Sequence, residues 1–217
     1  MKKMLILLLV MIPGTTLVAQ SLRINAFTEP QLAWFSSDEA EPDPDGAVFN
    51  FNTGLEADFF FQENYAFSLG LSLNNSGGRM QYGEETVFTD GTDSLVVPPE
   101  QTLKMKLQYL ALPVGLKLKT EELGYATFYF QLGLNPMYNL RSRGSSEALD
   151  VKKENLKSDI VPFQLGYYAS AGVEYRLAGN TALVGGLKWS SGLTDVTGND
   201  AANINLNALG LHLGVLF

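Results

Sequence analysis

The sequence predicts an all-β chain folded as an eight-stranded antiparallel up-and-down transmembrane β-barrel. Three observations carry the prediction: hydrophobicity that alternates with a period of two, connections that are short and long in turn, and an apolar face too bulky to converge on a narrow axis. Hydrophobic residues make up 46% of the 217 and charged residues only 18%, yet after the N-terminus no run approaches the roughly 20 apolar residues of a spanning helix. The length allows one domain, or two small ones. An excess of acids (23 Asp and Glu against 15 Lys and Arg) argues against nucleic acid, which needs basic patches to replace its counterions. With no Cys there is no disulfide, thiol nucleophile or thiolate metal site.

Lys2 and Lys3 precede an apolar run over residues 5–12, which Pro13 and Gly14 end, and small or neutral residues follow to Ala19. This is the anatomy of a cleaved secretory leader. Residues 1–19 are expected to be removed, after Ala19 or Gln20, leaving the barrel domain over 20–217.

In the first strand Leu22, Ile24, Ala26, Thr28, Leu32 and Trp34 alternate with Arg23, Asn25, Glu29 and Gln31, and Phe27 reads as an interruption. The second sets Phe49, Phe51, Leu55, Phe59 and Phe61 against Asn50, Asn52, Gly54, Glu56 and Asp58, and the third sets Tyr65, Phe67, Leu69, Leu71 and Leu73 against Ser68, Gly70, Ser72 and Asn74. In the fourth, over 103–119, the apolar parity flips near Tyr109 and Leu110, which predicts a β-bulge there. Pro113 removes one of its ladder hydrogen bonds.

Phe128, Phe130, Leu132, Leu134 and Tyr138 form the apolar face of the fifth strand, opposite Gln131, Gly133, Asn135 and Asn139. The sixth carries Phe163, Leu165, Tyr167, Val173, Tyr175 and Leu177 opposite Gln164, Ser170, Glu174 and Arg176. Leu183, Leu187 and Trp189 oppose Lys188 and Ser190 in the seventh; Leu209, Leu211, Leu213, Val215 and Phe217 oppose His212 and Gly214 in the eighth. Short links fall at 62–64, 120–124 and 178–180, and long ones at 36–47, 75–102, 141–159 and 192–202, in strict alternation. Short periplasmic turns and long outer loops are the habit of membrane barrels.

Parity alone does not say which face is wet. A lumen ringed by eight strands has room for little beyond packed side chains. The Gly, Ser and Asn parity suits it, so the Phe, Leu and Tyr parity is expected to face lipid. Tyr65, Tyr125 and Tyr175 toward the short turns, with Trp34, Tyr138 and Trp189 toward the long loops, read as interfacial girdles.

The inward parity carries Arg23, Glu29, Glu56, Asp58, Glu174, Arg176 and Lys188, expected to pair as a lumen charge network, since isolated buried charges are costly. The alternative use of such charges is the constriction of a narrow ion path. His212 is the only histidine, which removes any multi-histidine metal site; as an inward residue without a nucleophile motif beside it, it reads as a hydrogen-bonded lumen group. No catalytic residue and no cofactor are expected.

The acidic first loop (38–46) reads as a solvated tip, with Ca²⁺ bridging to lipopolysaccharide phosphates as the alternative. In the second loop, Asp90-Gly91 between β-prone runs predicts a hairpin, so that strands three and four project as a ribbon; a ten-stranded barrel is the alternative. The third mixes Arg141, Arg143, Lys152, Lys153 and Lys157 with Glu147, Asp150, Glu154 and Asp159.

Residues 109–117 (YLALPVGLK), 172–175 (GVEY), 192–196 (GLTDV) and 213–217 (LGVLF) resemble motifs of the PorT-type and porin-family small outer-membrane β-barrels of Bacteroidota. The resemblance covers the mature chain and implies a barrel of OmpA/OmpX-like size in the outer membrane. It also implies folding by the barrel-assembly machinery, with Phe217 in the terminal signal. The partners expected are outer-membrane lipid, lipopolysaccharide and a protein at the outer loops. The role expected is structural or interactive, with a link to protein secretion in some relatives. A narrow pore or transport accessory is the runner-up, and a lipid-modifying enzyme comes third.

Overall fold

The computed structural model describes residues 22–38, 43–83, 86–89, 94–146, 151–155, 160–197 and 203–217, and the expected leader lies outside them. Thirteen strands follow one another: β1 (Leu22–Ser37), β2 (Asp43–Pro44), β3 (Val48–Gln62), β4 (Tyr65–Tyr82), β5 (Thr86–Thr89), β6 (Ser94–Val97), β7 (Gln101–Ala111), β8 (Val114–Lys119), β9 (Ala126–Ser146), β10 (Val151–Asn155), β11 (Phe163–Ala178), β12 (Thr181–Gly192) and β13 (Ile204–Leu216).

These strands build a closed antiparallel ring of eight staves: β1, β3, β4, β7 with β8, β9, β11, β12 and β13. β13 returns to β1 with Thr28 opposite Leu213, and Phe217 N–H donates to the Ile24 carbonyl at 2.8 Å. Closure leaves no unpaired edge in hydrocarbon, the condition for crossing a bilayer with strands. β7 and β8 are one stave. Ala111 faces Met137 and Val114 faces Leu134 without a slip. Across the break Leu112 N–H donates to the Pro136 carbonyl (2.9 Å) and Gly70 N–H to the Pro113 carbonyl (2.8 Å). Pro113 therefore costs its own donor and nothing more.

Beyond the ring, β5 and β6 pair only with each other, so the ten-stranded alternative is not the observed fold. The Asp90-Gly91 turn lies outside the described residues. β4 and β7 stay paired up to Tyr82 and Gln101, which forms the base of the expected ribbon.

The bulky parity faces outward. Phe49, Phe67 and Leu187 are 59%, 58% and 60% exposed, whereas Asn25 and Asp58 are fully buried. Tyr65, Tyr125 and Tyr175 are exposed at the short-turn end, and Tyr138 and Trp189 toward the long loops.

Two details of the sequence reading are corrected. Phe27 is no interruption: it is buried inside the ring, its centroid 4.9 Å from that of His212. Nor does the fourth stave flip, because Leu103, Met105, Leu107, Tyr109, Ala111 and Lys117 are all buried on one parity. The bulge sits across the seam in β9, where Tyr109 faces Asn139 but Gln108 faces Arg141, leaving Leu140 as the extra residue. What changes along β7 is the lumen. Toward the long loops Phe35, Met80, Leu103, Met105, Leu107, Met137 and Leu206 pack into an apolar core inside the ring. The outward residues of the same wall are Arg79, Lys104, Lys106, Arg141 and Arg143. The barrel thus has two stories, one inverted for lipid and one built as soluble barrels are, with the apolar side in.

Candidate functional site

The lumen below the apolar core is held by charge. β8 delivers Lys117, whose side chain is 1% exposed, to three carboxylates: Asp58 at 2.7 Å, Glu174 at 3.3 Å and Glu56 at 3.8 Å. Lys119 and Arg23 close on Glu174 from the short-turn side, Arg23 at 3.7 Å. Ser68 donates to Asp58, and Gln131 donates to Glu56 (3.0 Å) and to the Tyr168 hydroxyl (2.9 Å).

A second centre is Glu29 of β1, reached by Lys188 at 3.0 Å, by His212 Nδ1 at 2.6 Å and by the Asn52 amide. Asn25 donates to His212 Nε2 at 3.0 Å, which leaves the Nδ1 proton for Glu29. Lys188 also lies 4.8 Å from the centre of the Tyr168 ring, within cation–π range. Tyr168 has room because β8 and β9 bring Gly115 and Gly133 against it; a Cβ on Gly133 would stand 2.6 Å from the ring.

Of the predicted lumen residues, Arg23, Glu29, Glu56, Asp58, Glu174 and Lys188 are brought together. Arg176 is not, and this corrects the sequence reading. It lies past the wall at the short turn, half-exposed, and pairs with Glu122 at 2.6 Å. Inward parity holds only while a stave is flanked by the barrel, and β11 outlasts it: Arg176 N–H already donates to the Tyr125 carbonyl in the turn. Lys117 and Lys119 escaped the sequence reading, although an unbroken parity from Leu103 would have placed Lys117 inside.

Chemically, the four cations Arg23, Lys117, Lys119 and Lys188 answer the four carboxylates Glu29, Glu56, Asp58 and Glu174. The place between Glu56, Asp58 and Glu174 that would suit a metal ion is filled by the Lys117 ammonium. His212 has both ring nitrogens engaged, so no free lone pair points at a substrate position. In the acidic first loop, Asp38 accepts from Asn203 N–H (2.8 Å) and Asp45 from the Thr102 hydroxyl (2.7 Å); residues 39–42 lie outside the described part.

The chain is similar to the Neisserial surface protein A (15% identity, 90% of this chain and 95% of that one, TM-score 0.48). It is similar also to Ail, the attachment invasion locus protein of Yersinia pestis (12% identity, 90% and 98%, TM-score 0.43), and to the outer membrane protein OprG from Pseudomonas aeruginosa (10% identity, 91% and 97%, TM-score 0.46). No curated protein matches it in sequence. The family model described as "Outer membrane protein beta-barrel domain" matches residues 25–198. The chain belongs to that family of outer-membrane β-barrels, and its place is the outer membrane.

Proposed function

We propose that this barrel is a non-enzymatic structural and interaction module with a sealed lumen, working through the ribbon and loops that rise beyond the lipid. The PorT-type resemblance favours one form of this role, an accessory to protein secretion. In the same reading the leader over 1–19 is removed after Ala19 or Gln20, and Phe217 belongs to the signal read by the barrel-assembly machinery.

The observation that carries the reading is the filling of the lumen. Matched ions and an apolar core occupy it, and the void beside Asn74, Asn135 and Met137 is about 10 Å³. One water molecule needs about 10–15 Å³, so a void of that size supports a plug rather than a hydrated ion path.

Planar-bilayer recording of the refolded chain tests it. The expected result is a silent membrane. Steady single-channel currents that change with Lys188→Glu would overturn the sealed lumen and give preference to a narrow pore. The interaction arm is tested by photo-crosslinkers placed one at a time on β5 and β6 and on the lipid-facing wall at Leu132. Discrete protein adducts are expected from the ribbon alone.

A further inference from the structure

Above the lipid-facing band, the outer wall of β4, β7 and β9 changes abruptly in character. The last apolar outward residues paired across these ladders are Leu73, Leu110 and Tyr138, which lie at one level because Leu110 faces both Leu73 and Tyr138; past them only the unpaired bulge residue Leu140 is apolar and exposed. Two residues further, about 7 Å along each strand, come Asn75, Gln108 and, after the bulge, Arg141. The next outward step brings Lys106 directly opposite Arg143, and the one after that sets Lys104 opposite Arg79. Like charges placed directly opposite across a ladder destabilise it. Among the described residues, no carboxylate pairs with Lys106, Arg141 or Arg143.

The ladder between β3 and β4 ends at Asn52 and Asn74, and a cleft of about 310 Å³ opens above it. One side is apolar, Phe49 and Phe51 with ring centroids 5.0 Å apart and both exposed; the other presents Lys106, Arg141 and Arg143. Asn75 and Gln108 form its floor. Asn75 donates to the Phe51 carbonyl (3.0 Å) and accepts from Gln108 (3.0 Å), which fixes the floor in place. Among the described residues, no acidic one lines it. The neighbouring cleft of about 330 Å³ differs in this respect, since there Asp45 and Glu100 stand beside Arg79 and Lys104.

We infer that this cleft binds the phosphate of a phosphorylated, acylated lipid of the outer leaflet. Its basic wall lies at headgroup height, and guanidinium groups suit phosphate oxygens through paired, charge-assisted hydrogen bonds. Phe49 and Phe51 continue downward into the band where acyl chains lie. The bound anion removes the like-charge repulsion that the bare wall carries. A lipid source is favoured over free phosphate because the cleft is half apolar and continuous with the membrane face.

The test uses the full chain, refolded in a neutral detergent, with two probes: an acylated diglucosamine bisphosphate and the same lipid with both phosphates removed. Native mass spectrometry should show the phosphorylated lipid held about ten-fold more tightly, a difference of one decade in Kd. The triple variant Lys106→Gln, Arg141→Gln, Arg143→Gln should lose that preference, and Arg176→Gln at the opposite end should keep it. Heat-modifiable mobility checks that each variant is folded; if the triple variant is not, the single Lys106→Gln and Arg143→Gln variants carry the same test. Equal affinity for the two lipids, or a triple variant with its preference intact, would overturn the site. Displacement of the lipid by excess inorganic phosphate would assign the cleft to free phosphate and overturn the lipid source.

Discussion

Lys117 Nζ lies 2.7 Å from Asp58 Oδ2, and neither side chain is accessible to solvent. Glu174 and Glu56 also face that ammonium, so one cation joins three buried carboxylates, of which Glu174 alone has further cations in Lys119 and Arg23. Replacing it by Met leaves Asp58 and Glu56 without their cation, while Glu174 keeps Lys119 and Arg23. Removing one partner of a buried pair costs about 3–5 kcal/mol. Lys117→Met should therefore lower the urea midpoint of the lipid-refolded barrel strongly, and adding Asp58→Asn should recover part of the loss. Unfolding followed by gel mobility reads both, and a Lys117→Met variant as stable as the parent would refute the charge-plug account.

Tyr168 packs into the middle of the lumen because Gly133 has no side chain. A Cβ there would stand 2.4 Å from the Val114 carbonyl oxygen and 2.6 Å from the Tyr168 ring. Gly133→Ala should therefore destabilise the barrel by about 1–3 kcal/mol, the usual cost of overpacking. Truncating the ring as well, in Gly133→Ala with Tyr168→Ala, should relieve the ring clash and not the backbone one. A double-mutant cycle in urea unfolding separates the two, and additive effects would show that ring and glycine do not share that space.

The legible part of this molecule is the part bathed in lipid. There one solvent lies outside every stave, so parity and bulk together fix the faces, as Phe49 and Asn50 or Leu69 and Gly70 show. The rule fails where the solvent changes. Leu103, Met105 and Leu107 continue the parity of Lys117 without a break, yet their chemistry is that of a soluble core, and so the pattern mimics a bulge. The bulge itself, at Leu140, hides in the sequence because it shifts two arginines to the outer face, where polar residues are unremarked. Arg176 fails for a different reason: period two gives a direction and not a height, so it does not say where the wall ends. Inward aromatics such as Phe27 and Tyr168 are likewise invisible to a reading that fills a narrow lumen with small residues; the glycines that admit Tyr168, Gly115 and Gly133, sit on other staves far away in the chain.

His212 is a structural group in this account. It links Asn25 to Glu29, and Lys188 still holds Glu29 when it is gone. His212→Ala should cost about 1–3 kcal/mol, the price of leaving the Asn25 amide unsatisfied, and should leave the complementation of a deletion strain unchanged. Loss of complementation by a variant that is folded and inserted at parental levels would revive the enzyme reading, in which this imidazole is the base.

The two-story wall makes a sharp accessibility prediction, and the chain contains no Cys to confuse it. Lys106 and Leu107 are neighbours in β7, one exposed on the outer wall and the other buried in the apolar core. A membrane-impermeant maleimide added to intact cells should label Lys106→Cys and leave Leu107→Cys unlabelled until the barrel is unfolded. Leu132→Cys, in the lipid-facing band of β9, should resist the impermeant reagent and accept an apolar one, because lipid rather than protein covers it. If the parity flipped in the fourth stave, the pattern would be reversed, with Leu107→Cys reactive and Lys106→Cys protected. The same experiment fixes orientation, since labelling of Lys106→Cys in unbroken cells requires the long-loop end to face outward, as short periplasmic turns dictate. Protection of Lys106→Cys in cells but not in detergent would have a third meaning, a lipid headgroup seated on the basic wall, and removal of lipid phosphates should then restore its labelling.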